Sequence, residues 1–227
     1  MQLRETLLNL AITSVLVLIV ALVAVLLRES RPGPVAAIPI AVAQPTLEPS
    51  GPRETTDEFQ RYRDVDFVDS RANEADAIRF RIGNKEEVFC LYYIDALEAT
   101  WTHPQRIADQ SRYFGKASRE DIVATGEEAV RYVAQLLATK PFEIRTRWES
   151  VPNMARHYAL IIVEHQPGQR VYLSDLLVQN GYARLNGVTT YLPDDVRDIE
   201  TYIHELQNLA REARNQRRGI WSKVELP

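Results

Sequence analysis

Few environments accept seven consecutive apolar, aromatic and β-branched residues, and Val88 to Ile94 (Val-Phe-Cys-Leu-Tyr-Tyr-Ile) is such a run. Its length and composition suit a strand buried on both faces. The wider stretch, Glu87 to Glu98, ends in two carboxylates, Asp95 and Glu98, where strand should give way to loop. A buried strand that delivers two acids to its own end can hold a hard cation against a phosphate. The plainer alternative is that Asp95 caps a turn and Glu98 faces solvent, because D-x-x-E spacings are frequent by chance. What surrounds the pair decides between them.

The chain has 227 residues, enough for one or two domains. Leu7 to Leu27 is uncharged and interrupted only by Asn9, Thr13 and Ser14. As a helix it would span about 30 Å, the thickness of a bilayer core. Residues 1–28 are therefore expected to form a single-pass transmembrane anchor. The alternative is a secretory signal cleaved near Ala41-Val42-Ala43, which would make the protein secreted. Arg4 before the span and Arg28 and Arg31 after it leave orientation nearly balanced, and an extracytoplasmic domain is expected. Residues 29–56 carry Pro32, Pro34, Pro39, Pro45, Pro49 and Pro52, and read as an extended linker. Residues 57–227 form the folded domain. A net charge of −4 provides no long-range steering toward duplex nucleic acid, but is compatible with a metal-dependent enzyme. The single cysteine, Cys90, excludes an intrachain disulfide.

Along that domain, Asp64 to Asp69 and Asp76 to Ile82 alternate polar and apolar residues, as half-buried strands do, and Gly83-Asn84 turns the second into the Glu87 stretch. Helical patterns follow over Gln105 to Phe114 and Ser118 to Leu137, the latter broken or offset at Gly126. Phe142 to Trp148 and His157 to Glu164 read as strands, Tyr172 to Asn180 as a short helix, and Gly181 to Leu185 as a short strand. Asp194 is expected to open the last helix, whose end carries Arg211, Arg214, Arg217 and Arg218 as a dipole-matched, solvated face before Gly219. This order describes an α+β fold with a small barrel.

Several of these pieces resemble the staphylococcal nuclease-like (thermonuclease) family over about Asp64 to Lys223. Cys90-Leu-Tyr-Tyr-Ile-Asp-Ala-Leu-Glu98 is similar to the family's Arg-Leu-x-x-(Ile/Val)-Asp-x-Pro-Glu, and Glu74-Ala-Asp-Ala77 to its Asp-Gly-Asp-(Thr/Ser). Tyr113-Phe-Gly-Lys-Ala117, Ala155-Arg156, Leu177-Val-Gln-Asn-Gly-Tyr-Ala183 and Ala210 to Trp221 resemble further family segments in the same order. The resemblance implies a five-stranded OB-fold barrel packed with helices. It also implies calcium-dependent hydrolysis of nucleic acid, single-stranded DNA or RNA. Asp76, Asp95 and the Ala96 carbonyl would then be metal ligands, Glu98 the water-activating base and Arg156 the phosphate-binding catalytic arginine.

The departures are chemical. The family's first catalytic arginine is Cys90 here, and a thiol cannot make charged, bidentate bonds to phosphate. Losing one such donor costs on the order of 10²–10³ in rate. Leu97 replaces a proline, Glu74-Ala75 replaces Asp-Gly, and Ala77 lacks a hydroxyl. Arg79 and Arg81, on one face of the neighbouring strand, could supply the missing charge. Cys90 with His157 as a nucleophile pair is a further alternative, set against inert packing of the thiol. Trp101, Trp148 and Trp221 read as core or rim packing. Two functions follow: a membrane-tethered, impaired metal-dependent nuclease, or a catalytically inactive OB-fold module that binds nucleic acid or a protein partner.

Overall fold

A computed structural model describes residues 56–193 and 195–225. The expected anchor over Leu7 to Leu27, the proline-rich linker up to residue 55 and the capping role of Asp194 lie outside these residues. Among the described residues no helix is long and apolar enough to cross a membrane.

The described elements run β1 (Gln60–Tyr62), β2 (Asp66–Phe67), β3 (Ala77–Ile82), β4 (Lys85–Leu91), β5 (Ile94–Ala96), α1 (Pro104–Tyr113), α2 (Arg119–Thr139), β6 (Phe142–Thr146), β7 (His157–Gln166), β8 (Gln169–Tyr172), α3 (Leu173–Gln179), β9 (Ala183–Leu185) and α4 (Ile199–Asn215), followed by a 3₁₀ turn at Gly219–Lys223. One curled sheet has the order β1-β6-β7-β4-β3-β2, with β8 also on β7, and β5 pairs with β9 in a second, two-stranded sheet. This is an OB-type α+β fold whose strands form a curled half-barrel, in place of the simple five-stranded barrel expected.

The apolar run from Val88 to Ile94 is divided between two strands, β4 and β5. Tyr93 has φ of 73°, so the chain turns there and β5 leaves the main sheet to join β9. That break is what swings Asp95 and Glu98 away from the sheet and toward α1. Both tyrosines at the break are buried: Tyr92 stacks on Tyr158, and Tyr93 meets Tyr202 edge-on.

Helix α2 is continuous through Gly126. The glycine serves close approach: a Cβ there would stand 2.2 Å from the Glu98 carbonyl oxygen. Ser118 caps this helix by accepting from the Asp121 N–H. The last helix begins at Ile199, later than expected, and is capped by Asp198, which accepts from Thr201 N at 2.7 Å. Asp195 is instead occupied by Arg197. Strands β1 and β8 were not foreseen. β1 is a three-residue edge strand without alternation, and β8 continues the β7 hairpin through Gly168.

Candidate functional site

Three chain crossings build the site. Strand β3 pairs with β4 so that Ala77 faces Cys90, and Leu91 N–H donates to the Asp76 carbonyl at 2.8 Å. This holds Asp76 at the mouth of the β3–β4 ladder. Strand β4 runs parallel to β7, setting Cys90 opposite Tyr158 and bringing the preceding loop, with Arg156, alongside. Strand β5 pairs with β9, setting Asp95 opposite Arg184.

The result is a pocket of about 440 Å³ whose walls include Glu74, Asp76, Cys90, Asp95, Arg106 and Arg156. Asp76, Asp95 and Arg156 are thus brought together. Glu98 and Ala96 are not in the wall. Glu98 is buried behind Arg106, which it meets at 2.9 Å from Nε. Ala96 has both backbone groups engaged, its N–H with Asp76 Oδ2 at 2.8 Å and its carbonyl with Gln110 Nε2 at 2.7 Å.

Asp95 accepts from Arg106 Nη2 on Oδ1 at 2.5 Å and from Arg184 Nε on Oδ2 at 2.7 Å. Gln110, fully buried, reaches Asp95 Oδ2 at 3.4 Å and takes the Glu98 N–H at 2.9 Å. The carboxyl of Asp76 is pushed up to about 7, chiefly by burial; the Ala96 N–H bond opposes this, while Asp95 and Glu74 add to it. Burial also raises Glu98, with Arg106 pulling the other way.

Arg156 lays two nitrogens on Glu74, each 3.3 Å from a different oxygen, and lines the same pocket as Cys90. The Cys90 thiol is pushed up to about 11 by burial and then by Asp76, so it stays protonated at neutral pH. Its suggested partner faces elsewhere. His157 lies opposite Phe89, with Nδ1 3.1 Å from the Trp148 carbonyl oxygen. The nucleophile alternative fails on both counts. Arg79 and Arg81 do not replace the missing arginine either, since both pair with Glu86, at 3.9 and 2.8 Å. Trp148 and Trp221 are core residues, while Trp101 is exposed.

The donor set expected for calcium does not fit a resident divalent ion. Both Asp95 oxygens, one Glu98 oxygen, the Ala96 carbonyl and Asp76 Oδ2 already accept from N–H groups. Among the described residues no group of three or more His, Cys, Asp or Glu side chains is arranged to hold a metal ion. Waters can complete the shell of a hard cation, but the protein oxygens that anchor it must be free to turn toward it, and these are already engaged.

Sequence reading missed Arg106, Gln110 and Arg184. Arg106 and Gln110 are four apart on α1, hence on one helical face, and two large polar residues flanking the buried Ile107 were the available signal.

The model of the family described as staphylococcal nuclease homologue matches residues 89–223, which takes in Asp95, Glu98 and Arg156 and starts after Asp76. No curated protein matches the chain. Matched over more than half its length, and folded as an OB-type half-barrel with helices in the expected order, the chain belongs to the staphylococcal nuclease homologue family and carries a nuclease-like or nucleic-acid-binding domain.

Proposed function

We propose that this domain binds single-stranded nucleic acid in the Asp76–Asp95–Arg156 pocket and hydrolyses it at least 10²-fold more slowly than a site with two phosphate-gripping arginines. One observation carries this: the position that would hold the second arginine is Cys90, a protonated thiol, and the remaining Arg156 is already paired with Glu74. Glu74 takes up two of the five Arg156 donors and offsets its charge, so a phosphoryl oxygen gaining charge competes with Glu74, while the thiol offers no charge at all. The Leu7 to Leu27 segment would tether the domain to a membrane with the pocket on the extracytoplasmic side.

The test is fluorescence anisotropy of a labelled single-stranded DNA with the purified full chain, run beside a cleavage assay in millimolar calcium and in chelator. Binding that loses strength on Arg156→Ala, with little or no cleavage, supports the proposal. A second reading, metal-dependent hydrolysis, is favoured by the fact that Asp76, Asp95 and Arg156 still line one pocket. Brisk cleavage in calcium that chelator abolishes would replace the first reading with the second. Absence of any binding would sink both.

A further inference from the structure

We infer that Arg106 is a resident cation for the Asp95–Glu98 acid pair, filling the place of a divalent metal and leaving the pair indifferent to calcium. The inference concerns the same pocket but does not rest on nucleic-acid binding, and its readout involves no nucleic acid.

The side chains of Asp95 and Glu98 are 9% and 6% exposed, and two buried carboxylates this close in sequence need positive charge nearby. Arg106 meets both, with Nη2 on Asp95 at 2.5 Å and Nε on Glu98 at 2.9 Å. Arg184 adds the other contact, Nε to Asp95 Oδ2 at 2.7 Å. Two guanidiniums thus supply the same two positive charges as one divalent ion, but they cannot be lost to a chelator or to low pH. The planar fork suits the arrangement, since Nε and Nη2 point to one side and can address separate carboxylates.

The surroundings fix Arg106 in that place. Helix α1 starts at Pro104, which puts Arg106 in its first turn beside the loop that carries Glu98. One turn on, Gln110 is fully buried and ties the same loop through Glu98 N–H and the Ala96 carbonyl. The Arg106 side chain remains 40% exposed and stands in the pocket wall beside Asp95, while Glu98 lies outside the wall, paired with Arg106 Nε.

The experiment is thermal melting of the full chain in chelator, in millimolar magnesium and in millimolar calcium. Wild type is expected to melt at one temperature, within about 1 °C, in all three, because nothing binds the native state preferentially. Arg106→Met should melt about 6–10 °C lower in chelator, with two buried acids short of one charge. Calcium should then recover at least about 3 °C through linkage, and the recovery should vanish in Arg106→Met with Asp95→Asn. Two results would overturn the inference: a calcium-dependent rise in the wild type that Asp95→Asn removes, or a folded Arg106→Met that ignores calcium. Should Arg106→Met not fold, the wild-type comparison still decides, since a calcium response there is incompatible with a resident cation.

Discussion

Arg156 and Glu74 form a two-pronged pair, with two guanidinium nitrogens each 3.3 Å from a different carboxylate oxygen. Both side chains are about one-third exposed, 30% and 34%, so the pair stands at the pocket wall in contact with water. Such pairs add about 0–1 kcal/mol to stability. Their larger effect is on what Arg156 can do next: Glu74 holds two of its five donors and offsets its charge, so a phosphate that binds there competes with Glu74.

Glu74→Gln should therefore free Arg156 at little structural cost. Stability is expected to change by no more than about 1 kcal/mol in urea melts. Affinity for a labelled single-stranded DNA should rise severalfold at low salt, and the gain should shrink as salt screens the phosphate contact. Unchanged affinity with unchanged stability would mean that Arg156 is not a phosphate contact.

Cys90→Arg restores the permanent charge at the one pocket position where the chain departs most from its family. The side chain is partly exposed, lines the pocket and sits beside Glu74 and Asp76, which can balance an added guanidinium. Cleavage of single-stranded DNA should increase by about 10²-fold or more if the missing donor is the chief defect. A folded Cys90→Arg protein that binds DNA yet cleaves no faster would place the defect elsewhere, in acids that Arg106 has neutralised. The double change Cys90→Arg with Arg106→Met separates those two causes.

Gly126 shows how a residue can be noticed in a sequence and assigned the wrong task. Glycine inside a helical pattern reads as a break, yet α2 runs unbroken from Arg119 to Thr139. An added Cβ would meet the Glu98 carbonyl carbon at 2.5 Å and the Leu97 carbonyl oxygen at 2.7 Å. These are backbone atoms, which cannot swing aside. Gly126→Ala should lose about 3 kcal/mol despite alanine's better helix propensity, and should push the Glu98 loop off α2. Urea denaturation measures the loss. A neutral or stabilising result would show that the loop is not held as close as described.

The same contrast divides what was legible. Order was readable: the alternation of β3, the apolar run of β4, the helices α1 and α2, and the acids at Asp76, Asp95 and Glu98 each left a local pattern. What escaped was set by partners distant in sequence. Nothing near Tyr93 signals that its backbone turns left-handed so that β5 can pair with β9; that depends on Arg184 and its neighbours, some ninety residues on. Arg106 likewise looks like any surface helix arginine until α1 is docked against the loop of Glu98. Side chains that compete for one carboxylate are visible only once the chain has folded them together.

Glu143, far from the pocket, should make part of the stability depend on acid. Its side chain is 3% exposed and meets Arg145 at 2.5 Å, Arg63 at 2.8 Å, Arg170 at 2.9 Å and Arg61 at 3.2 Å. Burial alone would raise its carboxyl, but the bonds from Arg63 and Arg145 and the charges of Arg145 and Arg170 outweigh burial and hold it at about 2 against an ordinary 4.5. Between those two values the unfolded chain binds the extra proton, so this contribution is complete above pH 4.5 and drains away as pH falls toward 2. It is on the order of 2–3 kcal/mol, trimmed because three of the arginines are well exposed. Asp175 pulls the other way: burial lifts it to about 6 from 3.8, so its ionisation costs stability as pH rises across that interval. The clean measure is therefore the difference between wild type and Glu143→Gln in urea midpoints from pH 7 downward. That difference should favour wild type at neutral pH, narrow below pH 4.5 and nearly close by pH 2. A gap that stays constant with pH would mean that the arginine ring stabilises Glu143 by packing, and not by its charge.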